Sequence, residues 1–525
     1  MPGGLLNIIA YGNQNIILNG NPSKTFFKSV YAKYTNFGLQ KYRVDFIGER
    51  TLLLNEPSKF TFKIPRYAEL LMNTYVAVTL PNIWSGFYKN PATDSYNPYE
   101  FKWINHLGSM MIQEVTISSG GQILQQFTGE YIKNRVERNE QQNKKEQFYK
   151  MTGHVSELNN PSTFSNRYGY PNTIYSELPP EPSIYGRTLY IPLPFWFSNS
   201  AKSAFPLVCL QYNELIIDVT MRPIRDLFTV LNVTTDENPD RIRPEFGSDE
   251  YQLYRYIQVP PLDDTYTNIQ TNWASDVHLI STYAFLSEEE TQVFAAKEHT
   301  YLFLDVKETT YHHVVGTQRI KIESNHLVSN WFWFLRRTDC YERNEWTNYT
   351  NWKYENIPNI ELTTTDISHN QNLESYYITQ YPNEHNIQHI LLRLSIQLDG
   401  KYRENEFGSD IYRYIEKYNN CLGASDDGLY SYSFALNTNP YETQPSGAMN
   451  LVKFKNVVMD ILTLTPDIDE DQTVNIICDD VGQVIGNIDT DPTKMYKYSF
   501  DLVLFEERYN MVRFMGGNVA LVYSR

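Results

Sequence analysis

The chain is predicted to be all-β and built as two large antiparallel halves, and three observations carry that prediction. Of its 525 residues 14% are aromatic, with 41 Tyr, 27 Phe and 8 Trp, and aromatic side chains suit pleated, half-buried surfaces. Apolar residues recur at a period of two over many short runs, whereas helical periodicity is sparse. The strand pattern lapses over one long stretch, residues 223–276, which divides the chain near its middle. A prior of about 150 residues per domain would give three or four domains, with two large β-domains as the alternative.

Residues 1–24 carry one charge, Lys24, and are rich in Gly, Asn and Ile. Such a segment is too polar to cross a bilayer and too apolar to stay solvated, so it is expected to lie as an arm along its own or a neighbouring chain. Residues 25–222 form the first half. There Phe60, Phe62 and Ile64 alternate with Thr61 and Lys63, and Ile217, Val219 and Met221 alternate with Asp218, Thr220 and Arg222. Val115 and Ile117 run into Ser118-Ser119-Gly120-Gly121, and Ile123-Leu124 returns, which predicts a hairpin. Residues 223–276 are dense in Pro, Asp, Asn and Arg and are expected to be an irregular linker.

The second half, 277–525, shows strands at 302–306, 319–323, 457–464 and 500–505, and a run from Leu392 to Leu398 that ends in an Asp399-Gly400 turn. Trp331-Phe332-Trp333-Phe334-Leu335 is apolar on both faces, which places it between two packed layers. Residues 337–383, rich in Asn, Thr and Tyr, read as a long surface excursion. The single long helix candidate is 129–151. Its charges mix Lys133, Arg135, Arg138, Lys144 and Lys145 with Glu137, Glu140 and Glu146, which predicts a solvated face.

The net charge of −16 and the absence of a basic patch argue against direct nucleic-acid binding. Four scattered cysteines (Cys209, Cys340, Cys421, Cys478) form neither a disulfide framework nor a CxxC zinc site, and fit a reducing compartment. The first residues lack the basic n-region of a signal peptide, and no window approaches about 18 apolar residues, so a soluble, cytosolic chain is expected.

Phosphate-binding loops, dinucleotide fingerprints and nucleophile elbows are absent. His385 and His389 have zinc-helix spacing, but Asn386 stands where a general base belongs and the segment opens a strand. Asp467, Asp469 and Asp471 imitate the start of a calcium loop, yet Gln472 replaces the turn glycine and Cys478 the bidentate Glu. His312, His313, Asp479 and Asp480 have no partner in sequence. No catalytic, cofactor-binding or metal residue is therefore assigned, and no enzyme is expected. Asn232-Val233-Thr234 and Asn348-Tyr349-Thr350 have the form of glycosylation acceptors; Asn232 and Asn348 are the candidate modification sites, although such tripeptides commonly arise by chance.

Several segments together resemble one family. Gly3-Gly4-Leu5-Leu6, Ala10-Tyr11-Gly12, Asn19-Gly20-Asn21-Pro22, Thr25-Phe26-Phe27-Lys28 and Tyr34-Thr35-Asn36-Phe37 look like the start of the major capsid proteins of nucleocytoplasmic large DNA viruses. The likeness continues at Gly120-Gly121-Gln122, at Ile191-Pro192-Leu193-Pro194-Phe195-Trp196-Phe197 and at Phe205-Pro206-Leu207 with Leu210-Gln211-Tyr212-Asn213-Glu214. Asn325-His326, Ile396-Gln397-Leu398-Asp399-Gly400, Tyr432-Ser433-Phe434-Ala435-Leu436, Gln444-Pro445-Ser446-Gly447 and Tyr509-Asn510-Met511-Val512-Arg513 follow in order. The end, Met515 to Ser524, departs from the family's glycine-rich close, and residues 60–84 look closer to the mimivirus-like branch.

The resemblance implies a double jelly roll, two tandem eight-stranded sandwiches with long loops and a minor helix. It also implies a homotrimeric, pseudo-hexagonal capsomer that tiles an icosahedral shell, with neighbouring capsomers, minor capsid and penton proteins and internal membrane-associated virion proteins as partners. The location implied is the virion shell, after synthesis and assembly in the host cytoplasm. On this reading Tyr341, Tyr349 and Tyr354 would be interface or tower residues, unless they cover their own sandwich. The rival is a carbohydrate-active or lectin-like β-sandwich, which needs two carboxylates across a cleft or a metal site; a minor or penton-type capsid component is a further alternative.

Overall fold

A computed structural model describes the chain except for residues 1, 49–50, 92, 162–168, 174–179, 235–240, 262–265, 325, 353–387, 469–473, 479–481, 490–495 and 525. In the first half, β1 (Phe37–Asp45), β2 (Ser58–Lys63), β3 (Leu70–Thr79), β4 (Ile112–Ser119), β5 (Gln122–Phe127), β6 (Thr188–Leu193), β7 (Leu215–Met221) and β8 (His278–Leu286) form two facing sheets. One runs β1-β8-β3-β6 and the other β2-β7-β4-β5, all antiparallel. The second half repeats this with β9 (His299–Tyr311), β10 (Thr317–Ile322), β11 (Leu327–Arg337), β12 (Leu391–Leu398), β13 (Lys401–Gly408), β14 (Leu429–Ser433), β15 (Val457–Thr463) and β16 (Phe500–Met515). Its sheets run β9-β16-β11-β14 and β10-β15-β12-β13. Each half is thus an eight-stranded jelly roll with the same strand order, and the two stand in tandem.

Local chemistry explains the pairings. In β7 buried and half-buried residues alternate along its whole length, with Leu215, Ile217, Val219 and Met221 inward, as a period of two requires. Both predicted hairpins close on two-residue turns with positive φ throughout, Gly120 (+58°) and Gly121 (+82°), Asp399 (+48°) and Gly400 (+79°). That turn geometry matches the twist of the flanking strands and favours Gly and Asp.

Several boundaries differ from the sequence reading. The first strand opens at Phe37, so the arm runs through residue 36, and instead of lying along its own chain it stays exposed. β8, assigned from sequence to the second half, fills the slot between β1 and β3 and completes the first roll; only the return of the chain shows which sheet it joins. The stretch 223–276 is partly ordered packing: Phe228–Leu231 pairs with Lys102–Trp103 and Arg241–Ile242, and Ile224, Leu227, Phe228 and Tyr256 are fully buried. Within the excursion 337–383, residues 344–351 are buried under the first roll; residues 353–383 lie outside the described part.

The run at 331–335 does lie between two layers. Trp331, Trp333 and Leu335 of β11, with Leu502 and Leu504 of β16, fill the second roll's own core. Phe332, Phe334, Val503 and Phe505 point the other way into a core shared with the first roll.

Candidate functional site at the junction of the two rolls

The shared core is organised by helix α1, Gly129–Asn139, in the connection between β5 and β6. The single helix expected over 129–151 is two: α1 ends at Glu140, whose backbone is extended, and α2 spans Gln142–Thr152. Thr128 caps α1, its hydroxyl accepting from Tyr131 N–H at 3.2 Å and donating to Glu308 Oε2 at 2.6 Å. Gly129 is required at the next position, because a Cβ there would stand 1.9 Å from the Ser109 carbonyl oxygen and 2.3 Å from that of Ile112.

The charges of α1 are not solvated. Glu130, Lys133, Arg135, Glu137 and Arg138 are all buried, and their partners come chiefly from elsewhere in the chain. Arg138, completely buried, donates to Glu507 Oε2 at 2.6 Å and to Asn330 Oδ1 at 2.5 Å, with its guanidinium 4.3 Å from the centre of the Phe332 ring. Asn330 and Glu507 are opposite each other on β11 and β16, on the junction face. Tyr131 donates to Glu507 at 2.9 Å, and Glu130 accepts from Arg336 at 2.6 Å. Asn134 donates to the Tyr349 hydroxyl at 3.0 Å, and Lys133 pairs with Asp426 at 2.9 Å. The Gly423 N–H closes the end of the helix on the Arg138 carbonyl. A buried charge is tolerated when it is paired, and pairing through both terminal nitrogens of Arg138 offsets its one unbonded donor, Nε, so a polar helix can serve as the key between two rolls.

Electrostatics follow the pairing. Burial alone would raise the Glu507 carboxyl, but the Arg138 guanidinium and its hydrogen bond hold it below the usual range. Burial likewise opposes the Lys133 ammonium and Asp426 overrides it, while Lys133 holds Asp426 well below an ordinary carboxylate. Next to them, His106 and His154 stack with ring centres 3.7 Å apart. Burial, then the neighbouring ring, keep His106 far below 6.5, and burial lowers His154 to about 4. Glu308 is pushed the other way, up to about 7, by burial and by Glu130.

One group among the described residues has metal-ligand spacing: His106, Glu137 and Asp426, with candidate ligand atoms within 4.8 Å of one another. Lys133 already occupies Asp426, and Lys145 (3.2 Å) with Tyr149 occupies Glu137. Two ammonium groups take the place of a cation, so these residues do not fit a metal. A cleft of about 860 Å³ opens at the edge of the junction, with Glu114, Thr128, Lys307, Glu308, His326 and Arg508 in its wall.

The residues singled out from sequence are scattered. Asn348 is buried, its amide hydrogens given to Glu345 (3.1 Å) and the Trp352 carbonyl (2.6 Å); Asn232 is half-buried and accepts from Thr234 and Tyr251. Tyr349 is buried against Phe334, ring centres 3.8 Å apart, which rules it out as an interface ring; Tyr341 packs on Trp346, and Tyr354 lies outside the described residues. His389 is half-buried beside Arg413, while His385 and residues 469–471 and 479–480 are outside the described part. The junction itself escaped the sequence reading. Its one local signal is Thr128-Gly129 before a charged helix that contains no break residue.

Comparison with known proteins agrees with this architecture. A family described as major capsid protein N-terminus matches residues 25–279, and one described as large eukaryotic DNA virus major capsid protein matches residues 290–520. The chain is 28% identical over 340 residues to capsid protein 1 of Acanthamoeba polyphaga mimivirus, covering 64% of this chain but 49% of that protein. It is 23% identical to the major capsid protein of Phaeocystis pouchetii virus along the whole of both chains. A chain of the PBCV-1 virus capsid superposes with a TM-score of 0.62 at 20% identity, covering 95% of this chain and all of that one. The Faustovirus major capsid protein does so with 0.60 at 11%, covering 97% and 96%. At these identities the structural likeness is one of fold, the double jelly roll. With both halves matched by family and the tandem rolls seen in the structure, the chain belongs to the major capsid proteins of large eukaryotic DNA viruses.

Proposed function

We propose that this chain is the tile of an icosahedral virion shell. Three copies around a threefold axis present six similar wedges, two rolls from each, and so imitate a hexagon that packs into flat facets. The observation that carries the reading is the repeated strand order of the two rolls, held in fixed relation by α1 and the shared core. Under this reading the working units are an arm, a first roll that closes with β8, and a second roll from β9 onward. Neighbouring capsomers, minor capsid and penton proteins and internal membrane-associated proteins are its partners. Its place is the outer capsid, reached after assembly in the host cytoplasm, with no enzymatic step and no direct hold on the genome. A carbohydrate-active or lectin-like role is not favoured.

Light scattering on the purified protein tests the proposal: the expected particle has the mass of three 61.5 kDa chains, and electron microscopy should show hexagonal outlines with threefold features. A stable monomer or dimer at micromolar concentration would refute it.

A further inference from the structure

None of residues 2–36 is buried. Phe26 and Phe27 are 104% and 99% exposed, and Ile17, Leu18, Tyr31 and Tyr34 lie between 84% and 89%. Large apolar side chains left exposed together along one segment mark an interaction site, and three features of the arm select its occupant.

The segment has Lys24, Lys28 and Lys33 and no Asp or Glu, in a chain whose net charge is −16. Its cations are all Lys, a residue that protein interfaces deplete in favour of Arg, whereas a lysine stem can lie in apolar surroundings with its ammonium in the headgroup layer. The lysines are interleaved with rings (Phe26, Phe27, Tyr31, Tyr34), which is the composition of segments that rest in a membrane interface. The helical turns Gly4–Ile9 and Ile16–Asn19 are far too short to cross a bilayer, so an arm of this kind lies in its plane.

We propose that residues 2–36 bind the surface of an anionic phospholipid bilayer, the four rings in the interfacial layer and the three ammonium groups against lipid phosphates. The proposal is independent of the trimer. Flotation of the full chain with phosphatidylcholine vesicles, and with equimolar phosphatidylcholine and phosphatidylserine, tests it. The full chain should float with the mixed vesicles and be released by high salt. Lys24→Gln, Lys28→Gln and Lys33→Gln together should weaken binding about a hundredfold, from about 1 kcal/mol per lysine. Phe26→Ser with Phe27→Ser should weaken it at least tenfold. Because the arm is exposed, none of these variants should alter the melting temperature.

Failure of the full chain to float with mixed vesicles, or unchanged binding of either variant, overturns the proposal. So does a chain lacking residues 2–36 that loses particle mass while the full chain captures no vesicles, a result that assigns the arm to a second copy.

Discussion

Replacing Arg138 by Met tests whether α1 holds the rolls together. Methionine keeps most of the length and the contact with Phe332 but removes the charge, so Glu507, whose side chain is 2% exposed, retains only the Tyr131 hydroxyl among these partners. Removing one member of a buried ion pair typically costs about 3–5 kcal/mol, because the other charge is left uncompensated. The Asn330 amide oxygen loses its donor as well, which adds about 1 kcal/mol. The cost has a ceiling that pH can reveal. Without the guanidinium, burial dominates at Glu507 and raises its carboxyl, so protonation relieves the penalty. Equilibrium urea unfolding of Arg138→Met should therefore show a loss of about 4–6 kcal/mol at pH 8 and a smaller loss at pH 5. Where the parent unfolds in one transition, the variant should unfold in two as the rolls separate. Adding Glu507→Gln should restore a large part of the loss, since no unpaired charge then remains. A cost below about 1 kcal/mol at pH 8, or a double variant worse than the single one, would refute the reasoning.

Three further outcomes are expected. Lys133→Met should cost less than Arg138→Met, about 1 kcal/mol, because its partner Asp426 is half exposed and regains water; the same urea series measures it. Gly129→Ala should destabilise by about 3 kcal/mol despite alanine's helix propensity, because its Cβ meets two backbone carbonyls; a melting temperature at or above the parent's would contradict the packing. The pH dependence has two opposed parts. His154, lowered to about 4 in the fold, titrates near 6.5 when unfolded, so the unfolded chain binds the extra proton and stability falls by about 3 kcal/mol as pH drops from about 6.5 to about 4. Glu308, raised to about 7, binds its proton in the fold first, so its contribution is full below about 4.5 and is lost as pH rises through about 7. Between pH 5 and 6.5 melting curves should thus rise with pH in Glu308→Gln, where His154 and the likewise lowered His106 remain, and fall with it only when His106 and His154 are both replaced by Gln.

Much of the fold is legible in local pattern. The alternation at Leu215–Met221 sets which side chains of β7 face inward, and the Gly120-Gly121 and Asp399-Gly400 turns specify their hairpins through φ alone. The two-faced run at 331–335 also reads correctly, because apolar residues at successive positions of a strand demand a layer on each side. The junction does not read this way. A helix that mixes Lys, Arg and Glu has the composition of a solvated face, and nothing within its own stretch says otherwise. Its compensating groups, Asn330 and Glu507, lie 192 and 369 residues from Arg138 along the chain.

The amino-acid order by itself therefore determined the strand class, the hairpins, the tandem division and the family. The slot taken by β8, the burial of residues 344–351 and the turning inward of the charged face of α1 were decided by tertiary structure. The physical reason is range: side-chain alternation and turn dihedrals act over a few residues, whereas the burial of an ion depends on a counter-charge that only the folded chain brings within 3 Å.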